Sequence, residues 1–553
     1  MRHRVLPRGA WLGILALAAT AACESGRTAD PLRAIAPTRG YVLISIDTLR
    51  ADHLGLYGYQ RPTSPFLDSL AERATVFENA IVQLPGTLPS HMCIFTGLYP
   101  AEHGVYPPDG ILSPDTPTLP EVFRRGGFRT AGFTEGGYVA GRFGFARGFD
   151  QFNDEVAKRA NDVETTFARG AGFLASLAPE QRFFLFLHTY AVHDPYEPPE
   201  PYRSLFAGAP PPDTFPPTGP NFVHFNHGHG TISGETLAYY KALYDAKIRY
   251  TDDVLGWFFA ELSRLGLAEQ TTVIITADHG EEFLEHGKMV HEQVYHELLH
   301  VPLLIVHPDP RARARIDAVV QSIDIAPTLY DLARLAPPAR VSGTSLVPYL
   351  AGARAPLRRE AYAEAFASGD RAVYQARGDE LYQLIVRRPA MEAGAAWVSR
   401  SLSFDWPGGS EGVAVRGYQQ PRRLRIAVDE TPLTEITLEP NRWTNLPLAG
   451  VAHDPPSRVL LDADGCLAPS SLSDSTDDRC LAFQIRGTTA QRRELYDIRR
   501  DPTEVRDLSR VSRDLGREIE QALESYHWQR PTPATKDLEP ALRERLRALG
   551  YGR

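Results

Sequence analysis

Residues 41–47 read YVLISID, an apolar and β-branched run that ends in an acid. A second run of this kind, residues 272–276, leads into Asp278 and His279. Both runs are typical of buried parallel strands. Because the carboxyl ends of strands in an open α/β sheet meet at one crevice, we expect Asp47, Asp278 and His279 to converge there.

Two carboxylates and one imidazole in a single crevice are suited to a divalent metal ion. Residues 87–91, TLPSH, precede an apolar helical pattern, which puts Thr87 near a helix N-terminus, where backbone N–H groups favour anions. A metal can lower the pKa of a threonine hydroxyl and make it a nucleophile. Thr87 is therefore the predicted nucleophile, although on its own it could simply cap a helix. The predicted metal ligands are Asp47, Thr87, Asp278 and His279.

Other polar residues are predicted to act on the group that Thr87 attacks, which the chemistry of the site suggests is a phosphate or sulfate ester. His193 and His291 are predicted catalytic residues, because a histidine can protonate a leaving alcohol. The predicted substrate-binding residues are Ser90, His91 and Lys288.

Three further features leave alternatives open. His188 follows an apolar run and is expected to be a strand-end histidine whose polar atoms are satisfied. The histidines at 224, 227 and 229 lie in a loop that either binds metal or is merely polar. The proline-rich segment 194–220 is expected to be a loop, either a wall or lid at the site or a rigid surface connection.

The N-terminus has the pattern of an export signal. Residues 1–22 combine a basic start with an apolar stretch that is short for a membrane span. The stretch ends in Ala21-Ala22-Cys23, which resembles a bacterial lipobox. We expect an exported periplasmic or outer-membrane lipoprotein, anchored through lipid on Cys23. Ordinary secretion and an uncleaved anchor are the alternatives.

Composition and pattern changes predict the domain organisation. The chain has 553 residues, of which 43% are hydrophobic, and a net charge of −9, which gives no reason to expect nucleic-acid binding. After a tether, alternating strand and helix patterns predict an α/β catalytic domain with a mainly parallel sheet. A smaller α+β subdomain follows and carries an all-β insertion. The predicted bounds are 23–38 for the tether, 39–355 for the catalytic domain, 356–401 with 487–553 for the subdomain, and 402–486 for the insertion.

Cys466 and Cys480 lie within the insertion and are expected to form a disulfide in an exported protein.

At these motifs the chain resembles the sulfatase branch of the alkaline-phosphatase superfamily. The matching segments are residues 47–58, 87–105, 193–196, 278–291, 301–303, 324–328 and 494–504. The resemblance implies that superfamily's sandwich fold. It also implies that Asp47, Asp278 and His279 bind metal, that Thr87 is the nucleophile, and that the histidines at 193 and 291 contact the substrate anion.

The chain departs from that family at two positions. Sulfatases carry Cys or Ser followed by x-Pro-x-Arg and convert the first residue to formylglycine, whereas this chain has Thr87 and His91 at those two places. No formylglycine is therefore expected. Thr48 replaces a second aspartate ligand, and fewer oxygen ligands beside an imidazole favour one Mn²⁺ or Zn²⁺ ion, with Ca²⁺ as the remaining option.

These observations predict a metal-dependent hydrolase that cleaves a phosphate ester of an envelope small molecule or glycan, with a sulfate ester as second choice. One alternative is a phosphoryl-group transferase that acts on a cell-envelope glycan or lipid. The other is a catalytically degenerate lipoprotein that binds glycans. The inserted β unit resembles modules of bacterial polysaccharide enzymes, and it either positions a glycan or braces the subdomain.

Overall fold

The computed structural model describes residues 34–155, 162–366, 368–387, 492–509 and 511–526, with shorter stretches between residues 391 and 486 and at 534–535. The predicted signal segment, the lipid attachment site at Cys23 and the predicted disulfide between Cys466 and Cys480 lie outside these residues.

The described residues in the N-terminal two thirds of the chain form eleven strands. They are β1 Gly40–Ile46, β2 Ala74–Ile81, β3 Gly110–Ile111, β4 Arg129–Phe133, β5 Gln151–Asn153, β6 Phe183–Thr189, β7 Thr271–Thr276, β8 Glu282–Phe283, β9 Met289–Val290, β10 His300–Val306 and β11 Ala314–Gln321.

Eight of these strands form one sheet in the order β11-β2-β10-β7-β1-β6-β4-β5. Within this sheet only β10 runs antiparallel to its neighbours. Every residue of β1, β6 and β7 is buried, so both faces of the sheet are covered, as apolar runs without alternation predict. The predicted α/β fold with a central, mainly parallel sheet is confirmed.

The α-helices cover and connect these strands. They are α1 Pro65–Leu70, α2 Thr87–Thr96, α3 Pro100–His103, α4 Leu119–Arg125, α5 Val163–Ala175, α6 Tyr202–Phe206, α7 Gly219–Asn226, α8 Gly234–Arg264, α9 His296–Leu299, α10 Ile325–Ala333, α11 Val347–Leu350 and α12 Arg513–Ser525. Within the described part of the chain, no helix combines the length and the apolar character that a membrane crossing requires.

The C-terminal part contains antiparallel strands. They are β12 Glu360–Glu364, β13 Arg371–Arg377, β14 Glu380–Arg387, β15 Met391–Glu392, β16 Ala395–Val398, β17 Ser401–Trp406, β18 Ala414–Gly417, β19 Arg422–Val428, β20 Thr431–Leu438, β21 Thr444–Asn445, β22 Ser457–Ala463, β23 Phe483–Arg486, β24 Arg492–Asp497 and β25 Ala534–Thr535.

A four-stranded sheet, β12-β13-β14-β24, forms the smaller subdomain. Helix α12 packs on it through Ile519 and Leu523, which contact the buried side chains of Val373, Leu384 and Leu495. Strand β14 pairs with β24, so the chain leaves this sheet near residue 387 and returns at 492.

The segment between those two points forms two more antiparallel sheets, β15-β16-β23-β18-β21 and β17-β22-β19-β20. The inserted unit was predicted to start at residue 402, and strands β15 and β16 precede that residue. Strand β16 nevertheless pairs with β23, near the end of the unit, so the unit starts earlier than predicted. Short strands separated by polar residues carry a weak boundary signal, which explains the difference.

Candidate active site

The carboxyl ends of β1 and β7 meet the N-terminus of α2. Strand β1 pairs in register with β7, so Asp47 and Asp278 leave the sheet side by side. Asp47, Asp278 and His279 are buried, and one potential ligand atom from each lies within 4.8 Å of the others. Thr87, the first residue of α2, donates its hydroxyl hydrogen to Asp47 Oδ2 at 3.3 Å, and its Oγ1 lies 3.4 Å from His279 Nε2. The structure thus brings together the four residues predicted to bind metal.

The donor atoms of this cluster fit a divalent cation. Asp47 Oδ1 and Asp278 Oδ2 are buried carboxylate oxygens that accept no hydrogen bond. Burial, followed by the charges of Asp278 and Glu281, raises the pKa of Asp47 well above its ordinary value. Buried carboxylates this close repel one another unless a cation or a proton lies between them.

The ring of His279 is held in a metal-binding tautomer. Its Nδ1 donates to the backbone carbonyl of Gly280 at 2.9 Å, so a neutral ring presents its lone pair at Nε2. That nitrogen lies 3.6 Å from Asp278 Oδ2 and 3.9 Å from Asp47 Oδ1. The geometry directs Nε2 and both carboxylates to a common point.

The turn after β1 holds the carboxylates in place. Thr48 has a left-handed backbone with φ of 56°. Its amide donates to Asp278 Oδ1 at 3.3 Å, and Tyr244 donates its hydroxyl hydrogen to the Thr48 carbonyl at 2.6 Å. The residue that replaces a family aspartate therefore contributes backbone contacts to the site.

Ser90 and His91, predicted to bind substrate, are fully buried and have protein partners instead. Ser90 donates to the Asp278 carbonyl at 2.6 Å. His91 Nδ1 donates to the Thr87 carbonyl at 2.8 Å, and its Nε2 lies 2.9 Å from Ser45 Oγ. These contacts make both side chains positioning residues behind the cluster, because the helical turn points them back into the core.

His193 and His291 lie beside the cluster. The ring of His291 is centred 4.4 Å from that of His279 and 5.4 Å from that of His193. Burial lowers the pKa of His193 to about 4 and holds the pKa of His291 well below its ordinary value. Both rings are therefore neutral at pH 7 before an anion arrives.

Sequence reasoning assigned no role to the groups that orient these two rings. Glu281 Oε1 lies 3.1 Å from His291 Nδ1, and its other oxygen accepts from the Tyr196 hydroxyl at 2.9 Å. Lys247 is buried and donates to the carbonyls of His193 and Pro195, and burial lowers its pKa to about 8. The sequence did contain one signal for Lys247: it is a charged residue among the apolar positions of a long helix, which indicates a buried charge with a specific partner.

The remaining residues singled out in the sequence lie in three different surroundings. Lys288 forms a surface ion pair with Glu292 at 3.1 Å, and its side chain is 39% exposed. His188 is buried behind Asp47, with its Nε2 3.8 Å from Asp47 Oδ2. Neither of its ring nitrogens has a hydrogen-bond partner among the described residues, so the expectation of a satisfied strand-end histidine is wrong. His224 stacks on His229 with 3.9 Å between ring centroids. His224 lies in α7, so the predicted loop is partly helical, and whether this segment binds metal or is merely polar stays a prediction.

The proline-rich segment 194–220 packs beside the site. Gly219 donates its amide hydrogen to Asp194, next to His193. Asn226 of α7 exchanges two hydrogen bonds with the backbone of Met289, at 2.8 and 2.9 Å. Asn226 lies just beyond the segment, but Tyr196 within it donates its hydroxyl hydrogen to Glu281, which contacts His291. This contact favours the wall alternative over a remote surface connection.

Comparison with known proteins agrees with this arrangement. The sulfatase family model matches residues 39–335, and the model of the N-sulphoglucosamine sulphohydrolase C-terminal region matches residues 284–391. The fold and site define a hydrolase of sulfate or phosphate esters. The chain belongs to the sulfatase family.

Relatives and solved structures extend the comparison. Arylsulfatase K of Bos taurus is 25% identical over 391 residues, which cover 61% of this chain and 71% of that protein. A protein solved with its substrate D-glucosamine-2-N,6-O-disulfate has a TM-score of 0.58 at 16% identity, covering 89% of this chain and 97% of that one. The phosphonate monoester hydrolase of Agrobacterium radiobacter has a TM-score of 0.57 at 16% identity, covering 88% and 95%. At these identities the solved structures establish the fold.

Proposed function

We propose that this chain is a metal-dependent hydrolase that cleaves phosphate esters through a covalent intermediate on Thr87. The observation that carries the proposal is the position of the Thr87 hydroxyl, 3.3 Å from Asp47 Oδ2 and 3.4 Å from His279 Nε2, at the N-terminus of a buried helix. A helix N-terminus favours the anionic group that a nucleophile here would attack. Asp47, Thr87, Asp278 and His279 would hold one Mn²⁺ or Zn²⁺ ion, with Ca²⁺ as the remaining option.

The protein residues support each step of such a reaction. When bound, the divalent ion would lower the pKa of the threonine hydroxyl and neutralise charge on the transferring group. The Thr87 hydroxyl loses its proton to solvent, its Oγ attacks phosphorus, and the bond from phosphorus to the leaving alcohol breaks. Water then attacks the phosphothreonine, which restores Thr87 and releases phosphate.

His291 is the proposed general acid. Its ring is neutral while the site is empty of substrate, because burial lowers its pKa. A dianionic ester beside it, together with the carboxylate of Glu281 on Nδ1, favours uptake of a proton. The charged ring then protonates the leaving oxygen, a contribution of about 10²–10⁴-fold. His193, fixed by its Nδ1 contact of 2.8 Å with the Asp194 carbonyl, binds an oxygen of the same group.

A sulfate ester is the second candidate substrate. The relative named arylsulfatase K and the protein solved with a disulfated glucosamine both favour it. Formylglycine is not part of either proposal, since position 87 is threonine. The substrate would be a phosphorylated or sulfated small molecule or glycan of the cell envelope.

The direct test is turnover of aryl phosphate, phosphate diester and aryl sulfate by purified chain, stripped of metal and reloaded with Mn²⁺, Zn²⁺ or Ca²⁺. Thr87→Ala should lose essentially all phosphate ester cleavage, whereas Thr87→Ser, which keeps a hydroxyl, should retain part of it. Mass spectrometry of acid-quenched reactions should find phosphate on residue 87. Sulfate ester cleavage alone would replace the substrate assignment, and full activity in Thr87→Ala would refute the nucleophile.

Two alternatives are separated by the same assay. A phosphoryl transferase would form the phosphothreonine but release it only to an added acceptor alcohol. A glycan-binding protein without catalysis would form none, and Thr87→Ala would leave its binding unchanged. The four converging side chains at the cluster favour the enzyme.

We also infer that the chain is exported and anchored through lipid on Cys23. The support is the basic start, the apolar stretch and the Ala21-Ala22-Cys23 sequence. Expression in a Gram-negative host with labelled palmitate should label the protein, and Cys23→Ala should abolish the label. Equal labelling of the two forms would refute the anchor.

A further inference from the structure

We propose a second divalent-cation site, formed by Glu282, His286 and Glu297 and separate from the metal cluster of the active site. One potential ligand atom from each of these residues lies within 4.8 Å of the others. None of the three belongs to the Asp47 cluster. This group is referred to below as the hairpin site, because Glu282 and His286 belong to the β8–β9 hairpin.

The hairpin site is enclosed. The Glu282 side chain is fully buried, the Glu297 side chain is 5% exposed and the His286 side chain is 11% exposed. His286 Nδ1 lies 2.8 Å from Glu297 Oε1, and its ring stacks on Tyr295 with 3.4 Å between centroids. The imidazole is thereby fixed with a carboxylate at its side.

An independent observation is a pair of buried carboxylate oxygens that accept no hydrogen bond. Glu282 uses one oxygen to accept from Gln293 at 2.6 Å, and its Oε2 has no partner. Glu504 accepts the amide hydrogen of His296 at 2.6 Å, and its Oε1 has none. An orphaned buried carboxylate oxygen costs free energy that a bound cation would recover.

Glu504 belongs to the same environment. Its backbone carbonyl lies 3.4 Å from His286 Nε2. Burial and the charge of Glu297 raise the pKa of both Glu282 and Glu504 well above the ordinary value. The carboxylates of Glu282 and Glu297 thus lie beside the imidazole, and Glu504 contacts it through its backbone carbonyl.

The neighbouring cationic side chains already have partners. Arg387 lies 3.1 Å from Glu494, and Arg50 pairs with Asp52 at 2.7 Å and with Glu285 at 3.0 Å. The two arginines are therefore paired with carboxylates outside the hairpin site, and Lys288 of the hairpin pairs with Glu292 at 3.1 Å. Carboxylate oxygens with one imidazole nitrogen suit Zn²⁺ or Mn²⁺ better than Mg²⁺.

A cation here would fasten the hairpin that leads to a catalytic residue. Glu282 directly follows Glu281, which contacts His291, and Glu297 lies in α9, which leads into β10. Glu504 comes from the C-terminal subdomain. The ion would tie the hairpin to α9, and the hairpin is joined to that subdomain by the contact of His286 with the Glu504 carbonyl. This is a structural role next to the active site.

Metal content distinguishes the hairpin site from a simple ion pair between His286 and Glu297. The full chain is stripped with a chelator, reloaded with Zn²⁺ or with Mn²⁺, desalted and analysed by inductively coupled plasma mass spectrometry. We expect about two ions per chain in the wild type and about one in Glu282→Gln and in Asp278→Asn. The double variant should bind none. Glu292→Gln, an exposed carboxylate in the same region, is the matched control and should bind as the wild type does.

Thermal unfolding provides the second measurement. In Asp278→Asn, which retains only the hairpin site, added Zn²⁺ or Mn²⁺ should raise the Tm, and the rise should vanish when Glu282→Gln is added. The hairpin site is overturned if the wild type binds one ion, Asp278→Asn binds none, and added metal does not change the Tm of that variant. If the wild type binds one ion, Asp278→Asn still binds it and Glu282→Gln does not, the hairpin site is upheld. The same result would refute metal binding at the active site, and with it the metal dependence of the proposed function.

Discussion

Ser90 donates its hydroxyl hydrogen to the carbonyl of Asp278 inside the protein. Ser90→Ala leaves that carbonyl without a partner, which should lower the free energy of unfolding by about 1–2 kcal/mol. It should also weaken metal binding by roughly tenfold, because Asp278 loses a support behind its carboxylate. Denaturant unfolding and a metal titration measure the two effects. Ser263→Ala, which removes an exposed hydroxyl bonded to the Phe259 carbonyl in α8, is the control and should change neither.

Glu135 makes stability depend on pH. It is buried against Thr189 and Tyr190, and burial raises its pKa to about 7 from 4.5. Between these values the folded state holds a proton that the unfolded state has lost. Its contribution to stability is therefore complete below pH 4.5 and is lost as pH rises through 7, a fall of about 3 kcal/mol.

Glu135→Gln should remove this fall, because the amide does not titrate. Urea unfolding of both proteins at several pH values between 4.5 and 7.5 measures it. As pH rises, the unfolding free energy of the wild type should fall relative to that of Glu135→Gln. Parallel pH profiles for the two proteins would show that Glu135 is charged throughout.

At the residue scale the sequence predicted the groups that end a strand or begin a helix. Asp47, Thr87 and Asp278 could be found because apolar periodicity locates the ends of secondary structure. Burial within an element was harder to foresee. The role of Lys247 depends on which face of α8 packs against the site. The sequence pattern of a long helix shows which face is apolar, but it does not show which other element that face contacts.

At the scale of elements, helix α2 ends where its sequence requires a residue without a side chain. Gly97 has a φ of 68°, and a Cβ there would lie 3.0 Å from Val341 Cγ1. Gly266, after α8, has a φ of 70° with open space around it. Gly97→Ala should therefore destabilise more than Gly266→Ala, by about 2 kcal/mol against about 1 kcal/mol.

Chemical denaturation of the two alanine variants measures this difference. Equal losses would show that Val341 moves aside and that only the backbone conformation matters. Since α2 carries Thr87, the metal affinity of Gly97→Ala should also be followed, with Gly266→Ala as its control.

Prediction of elements succeeded where one kind of pattern ran unbroken. The runs at 41–46 and 272–276 became β1 and β7. The segment 194–220 was expected to be a loop, yet it contains α6 and the start of α7. Prolines interrupt helical periodicity there, so helices of five and eight residues leave little pattern in the sequence.

At the scale of the whole molecule, the inserted β unit is predicted to be separable. Arg387 of β14 pairs directly with Arg492 of β24, so a turn of about four residues can replace everything between them. The shortened chain should keep its four-stranded sheet and cleave a small aryl ester within a few-fold of the wild-type rate. Steady-state kinetics and a thermal melt test this.

Glycan binding by the two proteins then separates the two roles considered for the unit. Loss of binding to a phosphorylated or sulfated polysaccharide, with aryl ester turnover intact, would assign it to substrate positioning. A large fall in Tm without a change in binding would make it a brace. Failure of the shortened chain to fold would contradict separability.

The overall architecture was predictable because a mainly parallel sheet needs unbroken apolar strands and alternating helices, and both leave long patterns. The boundary of the insertion was not. Strand β16 pairs with β23, far away along the chain, and no local pattern reports such a partner.

The conformation of Thr48 has a consequence for how the enzyme fails. A β-branched residue with a φ of 56° is strained, so the turn that aims Asp47 has no tendency to form by itself. It is held by Tyr244 and by Asp278, which belong to distant parts of the chain. Mild denaturant that loosens either partner should let this turn relax first, so inactivation should precede the loss of helical structure.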